Sequence, residues 1–395
     1  MPTRIAFLNT HPIQYFAPLY ADLNRAEDLE ITALYLTDVS LRGGVDKGFG
    51  QVVSWDVDLL AGYTAHFAAS AKSAQLNGGF FSLMAPDLWR TIRRERYDAL
   101  VIFGHNKLAQ QIALLAARSV GTRVFYRADT HLGKTRAGLR RHIRPWIMGA
   151  YFRLFHGCLA IGQQNQAYYR AMGVPDHKIF RVPFAVDNAR FAEQSEMSED
   201  ARKVLRAEWG VTDDRPVVSF AAKLVAQKRP SELIEACALL AARGVRFHLL
   251  MAGAGPEQAS LEALAAERLP PGSYHFPGFV NQSALPAMFG ASEVFVLPST
   301  NEAWGLTVNE AMAAGLPVVI CREIGCAPDL LCDGENGYAL APGDVAGMAD
   351  ALESVIADPA HQRAMSNASR KIVDRFSFAE CEAGLRQAVS GTADV

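Results

Sequence analysis

Two glutamates eight residues apart flank a glycine in the stretch Leu297-Pro298-Ser299-Thr300-Asn301-Glu302-Ala303-Trp304-Gly305-Leu306-Thr307-Val308-Asn309-Glu310. An apolar run ends at Leu297, a polar loop follows, and helical patterning starts near Gly305 and Leu306. The N–H groups of a first helical turn, here Gly305, Leu306 and Thr307, have no partner within the helix and carry the positive end of its dipole. A phosphate set there is stabilised by both. Glu310 could then accept two hydrogen bonds from a ribose diol, and Glu302 could reach sugar hydroxyls beyond the phosphates. A capping acid explains one glutamate near a helix start, but not the pair with a glycine between.

A second stretch brings cations to a strand end. The run Val217-Val218-Ser219-Phe220-Ala221 leads into Ala222-Lys223-Leu224-Val225-Ala226-Gln227-Lys228-Arg229-Pro230. Pro230 suits a first helical turn. Lys223 and Lys228 beside a helix start make an anion site that fits a diphosphate, although a solvated loop carries such lysines as well. The loop Gly253-Ala254-Gly255-Pro256 follows another apolar run. Its glycines allow a ligand close to the backbone, and they equally suit a tight turn.

These loops need strands and helices to hold them. Apolar runs at 5–8, 31–36, 99–103, 124–126, 158–161 and 179–182 alternate with helical patterns in the front half. Runs at 217–221, 247–252, 274–276, 294–297, 318–321 and 337–340 do the same in the back half. Repeated β-α-β order with apolar strands predicts an α/β protein with parallel sheets covered on both faces. The pattern breaks once, at the polar stretch 186–215, which reads as a linker. The division expected is an N-terminal domain over 1–187 and a C-terminal domain over 188–375 including the linker 188–215. A terminal segment, 376–395, holds a helix with Ser377 as cap and Glu380 three residues on. Ligands of such sheets bind beyond the carboxyl ends of the strands, so two such domains predict a site in the cleft between them.

Composition narrows the classes. The 395 residues are half apolar and one-fifth charged, with a net charge of −2. This is a globular composition and argues against a general nucleic-acid binder. The balance is uneven: +8 over residues 1–187 and −10 over 188–395. Cys158, Cys237, Cys321, Cys326, Cys332 and Cys381 show no zinc-type spacing. The start Met1-Pro2-Thr3-Arg4-Ile5-Ala6-Phe7-Leu8 is too short in apolar residues for a secretory leader. Reduced thiols in a cytoplasmic protein are therefore expected.

The same loops carry a resemblance. Pro298-Ser299 with Glu302, Gly305-Leu306, Glu310-Ala311-Met312-Ala313 and Gly315-Leu316-Pro317-Val318 resembles the P-S-x-x-E-P-F-G-L-x-x-x-E-A-M-A-x-G-x-P-V wording of family 4 of the retaining glycosyltransferases. Lys223-Leu224 with Lys228, Gly253-Ala254-Gly255-Pro256, Phe276-Pro277-Gly278-Phe279-Val280, Val186-Asp187 with Phe191, and Asp333-Gly334-Glu335-Asn336-Gly337 match further motifs of that family. Close matching covers about residues 216–342.

The resemblance implies the GT-B fold, two doubly wound Rossmann-like domains facing across a cleft, with the terminal helix of 376–395 crossing back to the N-terminal domain. It implies a retaining, metal-independent transfer from a nucleotide-diphosphate sugar, with no further cofactor. The back domain would hold the donor. Glu302, Lys223 and Lys228 would serve the transferred sugar and diphosphate; Gly253, Gly255, Gly305, Leu306, Thr307 and Glu310 would hold the nucleotide, with base contacts at Phe279 and Val280. His131 or Asp129 stands where relatives place a polar residue near the sugar. Whether Glu302 acts as a nucleophile or only orients the sugar stays open.

Three departures stand out. Lys223 replaces an arginine and Ala222 a glycine, while Asn9-Thr10-His11-Pro12-Ile13-Gln14-Tyr15 replaces a glycine-rich loop. His11 or Gln14 would take over its phosphate contact. These two residues, with His105 and Asn106, form the expected acceptor side. The acceptor would be a glycan, lipid-linked or other cell-envelope molecule, and nucleic acid is not expected as a partner. The basic, aromatic stretch with Lys134, Arg136, Arg140, Arg141, His142, Arg144, Trp146, Tyr151 and Arg153, joined by Arg90, Arg93, Arg94 and Arg96, reads as a solvated helix face or as a peripheral contact with anionic membrane. Two other readings share these residues: a nucleotide-sugar 2-epimerase, and a non-catalytic sugar-nucleotide-binding protein.

Overall fold

The computed structural model describes residues 1–46, 51–72, 79–134 and 140–391. It forms two compact units. One comprises Met1–Gly44, Val57–Val186 and Ser377–Val395, the other Val45–Asp56 and Asp187–Phe376.

The strands of the first half are β1 (Thr3–Asn9), β2 (Leu29–Tyr35), β3 (Gly44–Asp46), β4 (Gln51–Val53), β5 (Thr64–Phe67), β6 (Ala99–Phe103), β7 (Arg123–Arg127), β8 (Gly157–Ala160) and β9 (Ile179–Arg181). Those of the second half are β10 (Val217–Ala221), β11 (His248–Ala252), β12 (Tyr274–Gly278), β13 (Val294–Leu297), β14 (Val318–Cys321) and β15 (Gly337–Leu340). The first unit holds a seven-stranded sheet in the order β5-β2-β1-β6-β7-β8-β9, and the second a six-stranded sheet in the order β12-β11-β10-β13-β14-β15. The recorded pairings within both are parallel. β3 and β4 form a separate two-stranded ribbon.

Both faces of the first sheet are covered. Ile5, Phe7, Ile31, Ala33 and Val101 pack into one layer. Their neighbours Ala6, Leu8, Leu34, Leu100 and Ile102 pack into the other. Alternation along a strand with both sides buried produces the continuous apolar runs of the sequence. The edge strand β5 was not expected. Its Thr-Ala-His-Phe is half exposed and lacks such a run.

The polar stretch 186–215 is not an open linker. It carries the helices Asn188–Ser195 and Glu199–Glu208. Asp187 caps the first by accepting the Arg190 N–H at 3.0 Å, and Ser198 caps the second by accepting from Ala201 at 3.2 Å. Phe191 is buried, with its ring 6.3 Å from that of Phe289. Arg202 and Arg206 both pair with Glu293, whose carboxylate also accepts the Val217 N–H at 2.6 Å. One-sided burial and ion pairing, rather than an apolar run, hold these helices in place.

The helix Phe378–Ser390 belongs to the first unit. Ser377 caps it by accepting from the Glu380 N–H at 3.3 Å. Cys381 Sγ donates to Pro183 O at 3.1 Å, and Arg386 forms a bidentate pair with Asp28 at 2.6 and 2.8 Å. Among the described residues, no helix is long and apolar enough to cross a membrane. All six cysteines are free, and only Cys332 is exposed.

Candidate functional site

The strand order of the second unit decides where its loops meet. From β10 the chain builds outward through β11 and β12; it then returns to the other side of β10 for β13, β14 and β15. The reversal falls between β10 and β13, which pair through Val218 and Val294. In sheets of this kind ligands bind outside the carboxyl ends of the strands, at the point where the strand order reverses. The lysine loop follows β10 and the Glu302 loop follows β13, so the fold brings both to this point.

The two loops are bound to each other. The Thr300 N–H and Ser299 Oγ donate to Gln227 O at 3.1 and 3.2 Å. Gln227 Nε2 donates to Asn301 O at 3.0 Å, and Arg229 Nε to Thr300 Oγ1 at 3.3 Å. Lys228 forms an ion pair with Glu302. Arg229 and Asn301 are left-handed without being glycine, at φ 50° and 57°. Backbone strain of this kind costs on the order of 1–3 kcal/mol per residue and collects at working sites. Here the cross-loop bonds hold it.

Gly305 caps the helix Leu306–Ala313 at φ 98°, a conformation that favours glycine. Gly305, Leu306 and Thr307 are partly exposed, whereas Val308, Asn309 and Glu310 are buried. Trp304 Nε1 donates to Asn309 Oδ1 at 2.8 Å. The Trp304 carbonyl accepts from Cys326 N–H at 3.1 Å, and that of Glu302 from Gly325 N–H at 3.1 Å. The helix start is therefore partly exposed while the loop before it is anchored from behind.

Glu310 is 1% exposed. Its Oε1 accepts from Gln282 Nε2 at 3.0 Å, and its buried Oε2 has no partner. Burial pushes its carboxyl up to about 7 against the help of Gln282 and the nearby Arg190 charge. An acid that is buried, poised near neutrality and half unsatisfied is a candidate ligand group.

Gly253 and Gly255 have a packing reason. The loop between them lies on the lysine loop, with Leu224 N–H donating to Ala254 O at 3.0 Å. A Cβ at Gly253 would strike Ala222 O, and one at Gly255 would strike Leu224 O. Phe279 and Val280 follow β12 and are half buried. Phe279 meets Trp55 at 5.9 Å between ring centres. Nearby, Asn281 Nδ2 donates to Ser54 O at 2.8 Å and the Ser283 N–H to Asp56 at 3.2 Å. The segment Val45–Asp56, placed by its position in the front half, thus belongs to the second unit. Nothing in its composition marks this.

In the first unit the strand order reverses between β1 and β6. Residues 9–15 and 104–107 leave there, and 128–131 leave beside them from β7. His11 Nδ1 lies 2.8 Å from Thr10 Oγ1, and Gln14 is half buried. His105 Nδ1 lies 2.7 Å from Tyr126 Oη. Burial, helped by Arg144, lowers the pKa of His105 and favours its neutral form. Asn106 is exposed, as is Asp129, while His131 is 4% exposed. Asn165 Nδ2 pins the 128–131 loop through Thr130 O at 2.7 Å. Of the basic stretch, Arg136 and the side chains of Lys134, Arg140, Arg141 and His142 lie outside the described residues. Trp146 is 82% and Ile147 63% exposed on the helix Arg140–Phe152, beside Ile143 at 48%.

Two parallel-sheet units with loops gathered at their strand-order reversals define a class of two-Rossmann proteins, and comparison with known proteins names it. The model described as glycosyl transferases group 1 matches residues 201–372, and that of the glycosyl transferase 4-like domain matches 50–185. Over 211 residues the chain is 30% identical to alpha-D-kanosaminyltransferase of Streptomyces kanamyceticus, covering 53% of each. It is 33% identical over 326 residues to a D-inositol 3-phosphate glycosyltransferase of Streptomyces avermitilis, covering 78% of this chain and 66% of that one. The chain spans about half the length of the first curated relatives it matches. Anabaena Alr3699/HepE, solved in complex with UDP-glucose, aligns with TM-score 0.70 and 17% identity over 98% of this chain and 99% of that one. The fold is GT-B, and the chain belongs to the group 1 glycosyltransferases.

Proposed function

We propose that this protein transfers a sugar, with retention at the anomeric carbon, from a nucleotide-diphosphate sugar to a hydroxyl acceptor. One observation carries the reading: the reversal between β10 and β13 sets Lys228 against Glu302 beside a partly exposed helix start, with the half-satisfied Glu310 the fifth residue of that helix. The UDP-glucose held by the Anabaena relative agrees with this donor class.

When the bond from the anomeric carbon to the diphosphate breaks, negative charge grows on the departing phosphate. Lys223, Lys228 and the N–H groups of Gly305, Leu306 and Thr307 stabilise it, each such contact contributing about 2.7–4 kcal/mol by analogy with oxyanion donors. With these cations in place the transfer is proposed to run without a divalent metal. Glu302 orients the sugar, Glu310 holds the ribose, and Phe279 and Val280 lie along the base. Gly253 and Gly255 keep the lysine loop in position. The first unit takes the acceptor at His11, Gln14, His105 and Asn106, with His131 or Asp129 nearest the sugar. A glycan or lipid-linked cell-envelope acceptor, met in the cytoplasm at the inner face of a membrane, agrees with the basic front half and with exposed Trp146, Ile147 and Ile143.

The test has two parts. A thermal-shift panel of nucleotide sugars finds the donor, because a ligand at 100 times its Kd adds about 2.7 kcal/mol. That donor is then incubated with candidate acceptors, with and without EDTA. Donor binding with no transfer to any glycan or lipid-linked acceptor would sink the enzymatic reading, and loss of transfer in EDTA would sink metal independence.

A further inference from the structure

We propose that Arg190 and Gln282 are positioning residues that hold the Glu310 carboxylate for the nucleotide's ribose. This rests on the assignment of Glu310 to the ribose. The three residues come from three separate segments: Arg190 from the helix Asn188–Ser195, Gln282 from the loop after β12, and Glu310 from the helix Leu306–Ala313. Gln282 is 4% exposed.

The orientation of the Gln282 amide is settled by its neighbours. Arg190 only donates, and its Nη2 donates to Gln282 Oε1 at 3.0 Å while Nη1 donates to the Gln282 carbonyl at 2.9 Å. The amide nitrogen must then turn the other way, where it donates to Glu310 Oε1 at 3.0 Å. A charged donor at one end of such a chain polarises the amide and strengthens the bond at the other. Arg190 is itself fixed: its backbone N–H is held by Asp187 at 3.0 Å, and its guanidinium lies 4.5 Å from the centre of the Phe191 ring.

The relay satisfies one carboxylate oxygen and leaves the other. Glu310 Oε2 is buried with no partner. A carboxylate in that position is short of hydrogen-bond donors, and a ribose hydroxyl supplies one. Gln282 holds the Oε1 side of the carboxylate, which orients Oε2 before the nucleotide arrives. Without Gln282 or Arg190 the group would be free to turn and would hold its proton more strongly, which weakens it as an acceptor.

The test compares ribose with its deoxy form. Calorimetry on the full chain measures UDP and GDP against their 2′,3′-dideoxy counterparts, for the wild type, Gln282→Met, Arg190→Met and Glu310→Gln. The wild type is expected to prefer the ribose form of the nucleotide it binds by at least tenfold, and Glu310→Gln to lose that preference. Gln282→Met and Arg190→Met should each reduce it at least threefold while changing dideoxy binding less than twofold. A purely structural role would weaken both forms alike and leave the ratio intact. That result, in whichever variant folds, overturns the relay. If the wild type shows no preference, or Glu310→Gln keeps it, the ribose assignment itself fails and the relay with it.

Discussion

Lys228 and Glu302 lie 74 residues apart in sequence, and in the structure they form an ion pair across two loops. Each is about four-fifths buried. On the proposed reading of Lys228 as a phosphate ligand, a diphosphate competes with the Glu302 carboxylate for this cation. Glu302→Gln should bind the nucleoside diphosphate threefold to tenfold more tightly, yet transfer sugar at least a hundredfold more slowly. Calorimetry and initial rates read the two effects separately, and weaker diphosphate binding would contradict the competition.

Lys228→Ala removes the cation and leaves Glu302 with Ser299 Oγ, which donates to it at 3.4 Å. Transfer should slow by about 10- to 10³-fold, the range for loss of one charge-stabilising donor. Circular dichroism should show an unchanged fold. Near-normal turnover would remove Lys228 from the phosphate site.

Glu310 makes stability depend on pH. Its folded-state value, about 7, lies above the 4.5 of a free carboxyl. Between those values the unfolded chain has released a proton that the folded protein still holds. Stability should therefore be full below about 4.5, fall as pH rises toward 7, and level off above. Glu310→Gln should flatten this slope and raise stability at pH 8 by about 1–3 kcal/mol, with little gain at pH 4.5. Urea unfolding at the two pH values measures it.

Glu293 joins three partners: Arg202, Arg206 and the Val217 N–H. Arg206 is buried, so removing the carboxylate strands a charge and a strand donor together. Glu293→Ala should lower stability by about 3–5 kcal/mol. Glu293→Gln, which keeps an acceptor, should lose less. Thermal melts of the two variants give the order.

Gly253→Ala should disturb the lysine loop from a distance. The residue has φ 148°, and the new methyl would press on Ala222 O. The loop carrying Lys223 must then shift. We expect a loss of about 1–3 kcal/mol in stability and a donor KM raised several-fold. An unchanged KM would mean that the loop position does not matter to the donor.

The central strands were legible because burial on both faces writes an apolar run. β1, β10 and β13 show it, and β5 does not because one side of it meets solvent. The helices of 188–208 were hidden by their polar residues. Arg206 and Glu293 stabilise each other there across 87 residues, a pairing that local pattern cannot reveal. The loops with Lys228 and Glu302, and the helix start before Glu310, could be read from glycine and charge at strand ends. Gln282 and Arg190 could not, since an amide and a cation in polar surroundings carry no spacing signal. The one trace of Arg190 is its place beside Phe191, just after Val186-Asp187. Trp55 was likewise invisible, because its partner Phe279 is encoded in the other half of the chain.

The course of the chain limits how such a protein can be recombined. Val45–Asp56 sits in the second unit, and Ser377–Val395 returns to the first. A chimera joined once, near residue 187, would import a relative's β12 loop without the Trp55 segment that meets it. It would also give the first sheet a foreign terminal helix. Exchange of the second unit between relatives therefore calls for two grafts, with the short tract Val45–Asp56 travelling with Asp187–Phe376.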